Sequence, residues 1–241
     1  MGILIGILVT GQTVREIARE RGDFERFIRD AVGPLPRVQW RSYDVHSDAP
    51  LPGRLDVDAF VVTGSSSSVT ERAPWMLRLE GLVRDIAACP TPLLGICFGH
   101  QIIAQALGGE VRKNPRGREI GTVRVTRAAD DPLFAGLPRA FDVNGTHLDA
   151  VTRLPSGAEV LATTALDPVA AFRVGERVRA VQFHPEFDRS VMRGYLSARA
   201  HLIRSEGGDP DALRDHVHAG TRGRDILRNF VTRLIRGHES T

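Results

Sequence analysis

The chain has 241 residues, 42% of them hydrophobic and 25% charged, a globular balance that excludes disorder and fibrous architectures. That length buries a substantial core without disulfide or metal staples and fits one domain over 1–241. With 32 basic against 29 acidic side chains, the net charge of +3 is too small to argue for a nucleic-acid partner. The apolar opening, Ile3 to Val9, is too short to span a bilayer and has no basic segment before it. It therefore predicts a buried first strand and no membrane partner. Thr13-Val14-Arg15-Glu16 has capping-box spacing, and Val14, Ile17, Phe24, Phe27, Ile28 and Ala31 repeat at helical intervals until Gly33-Pro34 stops the helix.

Strands are predicted at Val38 to Val45 and Ala59 to Val62, the latter ending in the polar loop Gly64 to Ser68. Trp75 to Ala88 carries Leu79, Leu82, Val83 and Ile86 on one helical face. Pro92 to Ile96 is a short buried strand that runs straight into a helix ending at Leu107, closed by Gly108-Gly109. From Glu119 the pattern turns to β, with strands at Thr122 to Val125, Glu159 to Thr164, Val169 to Val174 and Val178 to Phe183, the last two joined at Gly175-Glu176. Helices return after Asp188 and continue to about residue 237. Strands alternating with helices over the first two-thirds predict an α/β fold with a mostly parallel open sheet.

Gly95-Ile96-Cys97-Phe98-Gly99 places a nucleophile between two glycines at a strand-to-helix junction. Such a turn is strained, and the missing Cβ atoms let it close. The helix that follows aims its N-terminal amides at the thiol and favours thiolate, while the Phe98 N–H is a ready oxyanion donor. On these residues alone Cys97 fits a nucleophile or an inert core thiol about equally. Cys89, before Pro90, has no such frame. Two cysteines in so long a chain point away from a disulfide scaffold and toward a reducing cytoplasm.

A thiol nucleophile needs a base, and the base needs an orienting group. Among eight histidines, His184 follows the predicted strand Ala180 to Phe183, at the strand end where open α/β sheets place their sites. Glu186, two residues on, reaches back to the imidazole if the chain turns at Pro185.

Gly95-Ile96-Cys97-Phe98-Gly99-His100-Gln101 and Gln182-Phe183-His184-Pro185-Glu186 resemble the two signature motifs of class I, triad-type glutamine amidotransferases. The resemblance runs over about residues 55–190 and is strongest to stand-alone members akin to the glutaminase domain of GMP synthetase and to γ-glutamyl peptidases. It implies a flavodoxin-like sheet with an additional small antiparallel portion, and C-terminal helices beyond about residue 189. It also implies a Cys97–His184–Glu186 triad that forms a γ-glutamyl thioester. Gln101 resembles a substrate-holding residue. Val62 to Val69 aligns with the oxyanion loop, with Ser65 at the place of a second glycine and Ser66 at that of a proline; the donors implied are the amides around Gly64 and Ser65. Asn144-Gly145-Thr146-His147-Leu148-Asp149 resembles a segment whose backbone holds the amino-acid end of the substrate, with a structural role for the His147 side chain.

His216 and His218, two apart on an expected helix, do not face each other, so no metal and no other cofactor is predicted. No G-x-x-x-x-G-K-[ST] run is present. Arg222, Arg224, Arg228, Arg233 and Arg236 read as the solvated face of the last helix, with docking of a synthetase as the alternative. Three functions follow from the resemblance: a glutaminase releasing ammonia for a separate ammonia-accepting synthetase, a stand-alone hydrolase of γ-glutamyl peptides or amides, and a non-catalytic binding homologue. The first two take a small-molecule substrate.

Overall fold

The computed structural model describes residues 2–47 and 49–235. The opening segment is β1 (Ile3–Val9), which pairs in parallel with β2 (Val38–Asp44) and β3 (Ala59–Val62). β3 pairs in parallel with β4 (Leu93–Ile96), and β4 with β11 (Val178–Val181). Beyond β11 the same sheet turns antiparallel through β10 (Ala171–Val174), β9 (Ala158–Thr163), β6 (Glu119–Arg127) and β7 (Ala140–His147). The order β2-β1-β3-β4-β11-β10-β9-β6-β7 is accompanied by a separate antiparallel pair, β5 (Glu110–Lys113) with β8 (Asp149–Arg153). β1, β3, β4 and β11 form the apolar centre, as strands buried on both faces must.

One face of the sheet packs on α2 (Phe24–Val32), α8 (Gly223–Asn229) and the π-helical turn Phe230–Ile235. The other packs on α3 (Pro74–Ala87) and α4 (Phe98–Ala106). A third cluster joins α1 (Arg15–Arg21) and α2 to α5 (Arg189–Ala198), α6 (Ala200–Ser205) and α7 (Pro210–His216).

Several local expectations are overturned by tertiary contacts. Thr13 makes no capping box: α1 starts after Val14, and the Thr13 hydroxyl instead meets the Tyr195 hydroxyl at 2.6 Å. The expected single helix over 14–31 breaks at Gly22, which takes φ 86°, and Asp23 caps α2 by accepting from the Phe24 N–H. β5, β7 and β8 were unpredicted. β7 reads AFDVNGTH, whose Asn and Gly disguise a strand built by pairing along its length with β6. His147 accordingly ends a strand. α7 stops at His216, so His218 lies beyond the helix, 3.3 Å from Asp142. Arg224 and Arg228 are not simply solvated: they donate to the Asp30, Ala31 and Val32 carbonyls that α2 leaves unpaired at its C-terminus. Arg236 lies outside the described residues.

Arg179 on β11 is fully buried, and its Nε donates to Asp131 Oδ2 at 2.8 Å, with that carboxylate also fully enclosed. Removing one partner of such a pair strands a charge. Asp131→Ala should therefore lower unfolding stability by about 3–5 kcal/mol, read by denaturant melts; a change below about 1 kcal/mol would contradict this account.

Candidate functional site

Cys97 joins β4 to α4 with φ 52° and ψ −101°, a positive φ that only three non-glycine residues among those described adopt. The strain is imposed by packing. A Cβ on Gly95 would stand 2.4 Å from the Gly99 carbonyl oxygen, and one on Gly99 would stand 2.4 Å from that of Val62. Glycine at both places lets α4 press directly onto the sheet and leaves the thiol at the helix N-terminus.

The other expected residues converge on that thiol from separate elements. His184 lies just past β11, where its N–H donates to the Asn144 carbonyl of β7 at 2.8 Å. Its Nδ1 is 2.7 Å from Glu186 Oε1, both side chains being buried. The ring is stacked on Phe187 at 4.0 Å and on Phe24 at 5.9 Å, which fixes its plane. On the remaining side, a Cβ at Gly64 would come within 2.8 Å of His184 Cε1. The Thr146 carbonyl lies 3.8 Å from Cys97 Sγ.

Burial opposes ionisation of Cys97, but the charge and hydrogen bond of His184, helped by the charge of His147, outweigh it and bring the thiol below its ordinary 9.0. Burial likewise opposes protonation of His184, yet Glu186 and then Cys97 raise it to about 10. The two shifts have opposite signs, so thiolate and imidazolium coexist from below 9.0 up to about 10. This is a coupled pair in which each charge sustains the other.

The loop expected to carry oxyanion donors is clamped by Thr10. The Thr10 hydroxyl contacts the Gly64 carbonyl at 2.9 Å, the Thr63 carbonyl at 3.0 Å and the Thr63 hydroxyl at 3.0 Å, all in the interior. A trans peptide points its N–H opposite its carbonyl, so this clamp turns the Ser65 N–H away from Thr10. Ser65 lines a cavity of about 190 Å³ together with His184 and Thr146. The serine that replaces a glycine is accommodated by Gly11, where a Cβ would fall 2.6 Å from Ser65 Oγ, and that oxygen accepts from the Ser67 N–H at 3.2 Å. Among the described residues neither the Ser65 nor the Phe98 N–H donates a hydrogen bond.

Gln101 spends both amide hydrogens internally, on the Asp149 carbonyl at 2.9 Å and Gln182 Oε1 at 3.0 Å, and so ties α4 to the β7–β8 turn. The Ser68 hydroxyl reaches the Asp149 carboxylate from the oxyanion loop. His147 is buried, with Nε2 3.1 Å from Glu119 Oε2 and Nδ1 3.0 Å from the Asp149 carbonyl. Burial disfavours its charge, but the bond to Glu119 and the Asp167, Cys97 and Glu119 charges raise its pKa overall. Glu119, Thr10 and Tyr195 were missed, because no local pattern marks partners brought in from distant strands. His100, from the nucleophile motif, is pushed down to about 3 by burial and rests edge-on against Phe172. Among the described residues no group of three or more His, Cys, Asp or Glu is placed to hold a metal ion, and no helix is long and apolar enough to cross a membrane.

Residues 32–200 match the family model described as glutamine amidotransferase class-I, well over half of the chain. The chain belongs to the class I glutamine amidotransferase family. Among its relatives, gamma-glutamyl peptidase 4 of Arabidopsis thaliana is 30% identical over 207 residues, covering 81% of this chain and 82% of that protein. The glutamine-hydrolyzing GMP synthase of Thermomicrobium roseum is 50% identical over 147 residues, 59% of this chain but only 27% of the synthase. A Thermotoga maritima glutamine amidotransferase structure superposes with a TM-score of 0.74 at 21% identity, covering 98% of this chain and 99% of that one, and shares the fold.

If His184 holds Cys97 as thiolate, the rate of alkylation by iodoacetamide should rise with pH through an inflection below 9.0. His184→Ala should move that inflection upward, since burial then acts with less opposition. A wild-type inflection at or above 9.0 would refute the ion pair.

Proposed function

We propose that this protein cleaves the γ-amide of glutamine or of a related γ-glutamyl compound through a γ-glutamyl thioester on Cys97. The observation that carries the reading is the convergence of a strained thiol, a His184–Glu186 pair and two unpaired N–H groups at Ser65 and Phe98. In this mechanism the Cys97 thiolate attacks the γ-carbonyl carbon. The Ser65 and Phe98 N–H groups then stabilise the oxyanion. His184 gives its proton to the leaving nitrogen, which departs as ammonia from glutamine or as an amine from a γ-glutamyl peptide. Neutral His184 next takes a proton from water, and the hydroxide attacks the thioester to release the γ-glutamyl acid and restore the thiolate. Glu186, whose Oε1 faces Nδ1, holds the ring orientation and stabilises the imidazolium. In this reading the backbone around Thr146 and His147 holds the amino-acid end of the substrate, and Gln101, whose amide hydrogens go to Asp149 and Gln182, positions that segment.

Two uses of this chemistry are distinguished by partner. The likeness to a peptidase over four-fifths of both chains favours a stand-alone hydrolase of γ-glutamyl compounds. The higher identity to part of a GMP synthase favours release of ammonia for a separate synthetase. In either case the substrate is a small molecule and the chemistry needs no cofactor.

Purified protein should release glutamate from glutamine or a γ-glutamyl dipeptide, and Cys97→Ala should abolish release while keeping the fold. Brief incubation should also leave a γ-glutamyl adduct on Cys97, visible by intact mass. Glu186→Gln should lower kcat by about 10² or more with a smaller effect on KM, because it removes charge stabilisation from the imidazolium. Turnover that survives Cys97→Ala would sink the proposal. Stimulation of ammonia release by a synthetase would select the second use.

A further inference from the structure

The mechanism above uses the backbone at His147 and leaves unused both its side chain and the Glu119 carboxylate opposite. Glu119 on β6 and His147 on β7 are direct cross-strand partners, so their side chains leave the sheet on the same face, and both are buried. His147 Nδ1 lies 3.0 Å from the Asp149 carbonyl, and Nε2 lies 3.1 Å from Glu119 Oε2. The other carboxylate oxygen, Oε1, accepts from the Thr164 hydroxyl at 2.7 Å. These bonds fix the ring at both nitrogens and the carboxylate at both oxygens.

The same bonds fix the protonation of the ring. A neutral imidazole offers one donor and one acceptor. The Asp149 carbonyl only accepts, so Nδ1 carries a proton. A second proton lies between Nε2 and the Glu119 carboxylate, and of these two groups imidazole is the stronger base. Both nitrogens therefore donate, and His147 is an imidazolium. The titratable groups around it are Glu119 from β6, Asp167 from the turn between β9 and β10, Cys97 at the elbow and His100 on α4. Burial pushes Asp167 up and pushes His100 down to about 3, so both are drawn toward their neutral forms. Burial also opposes the charge on His147, but the Glu119 bond leads the contributions that outweigh it. The position of this cation matters, because the preceding residue, Thr146, sets its carbonyl oxygen 3.8 Å from Cys97 Sγ. A carbonyl dipole aimed at the sulfur disfavours negative charge there, and a fixed cation on the next residue offsets it. With both N–H groups held by internal acceptors, His147 is not free to pass a proton to substrate as His184 does.

Resting on Cys97 as the nucleophile of the function proposed above, we infer that Glu119 is a positioning residue that holds His147 as a fixed cation in support of the Cys97 thiolate. The two imidazoles of the site then divide the labour: His184 moves protons, and His147 supplies a constant charge.

The test is the pH profile of Cys97 alkylation by iodoacetamide in wild type, Glu119→Gln, His147→Gln and the double variant. Each single substitution should move the inflection up by about one pH unit, which slows alkylation about tenfold at a pH below both inflections. The double variant should lie no higher than His147→Gln, because Glu119 acts only through the imidazole. Glu119→Asp, which keeps a carboxylate, should recover part of the shift. With glutamine as substrate, Glu119→Gln should lose kcat near neutral pH and regain most of it as the pH passes the new inflection, with a smaller change in KM. A purely structural role would lower the melting temperature of Glu119→Gln and leave the inflection where it is, and that result would overturn the inference. Additive shifts in the double variant would overturn it too. Should Glu119→Gln not fold, His147→Gln reads the same cation, and an unmoved inflection there is equally decisive against it. Alkylation needs no turnover, so a wild type inactive on γ-glutamyl substrates would bring down the proposed function while the inflections still decide the role of Glu119.

Discussion

The contact on which the site depends is the approach of α4 to the sheet at Gly99, whose Cα stands so near the Val62 carbonyl that a methyl group would overlap it at 2.4 Å. A second contact of the same length couples Gly95 to Gly99. Together they drive the chain through a left-handed conformation at Cys97 and keep it there. The strain cannot relax without pulling α4 away from β3 and β4, whose side chains are fully buried. Core packing is thus the reservoir that holds the thiol at the helix N-terminus.

Around that point the structure uses long-range bonds to remove freedom from each chemical group. Thr10 at the end of β1 fixes the carbonyl of Gly64, and with it the direction of the next N–H. Asn144 on β7 anchors the backbone of His184, and two phenylalanine rings fix its side chain. The charges are arranged in the same spirit: His184 and Glu186 on one side, His147 and Glu119 on the other, each a buried pair in which the carboxylate sustains a proton on the imidazole. Both imidazoles favour thiolate at Cys97, so the burial that shields the site does not suppress its nucleophile. The antiparallel half of the sheet matters for this reason. Without β6 and β7 there would be no Glu119, no Asn144 and no carbonyl of Thr146 beside the sulfur.

Much of this was legible in the residue order. The parallel strands announce themselves as short apolar runs, and the elbow is readable because its cause, a nucleophile between two glycines at a strand-to-helix junction, is contained in five consecutive residues. His184 and Glu186 were readable for the same reason, since two residues and a proline set their spacing. The expected capping box at Thr13 failed because a hydroxyl that is a good local cap is an equally good partner for Tyr195, and the distant contact won. The strand β7 was hidden because its propensities are poor and its pairing with β6 compensates for them.

What the sequence by itself determined is the family and the candidate thiol and imidazole, because their motifs lie within a few consecutive residues. What only the tertiary structure decided is the surroundings: the Thr10 clamp on the Gly64 carbonyl and the Glu119 partner of His147. Each of these joins residues separated by tens of positions, and their encounter is set by sheet order and helix packing, which no local pattern encodes.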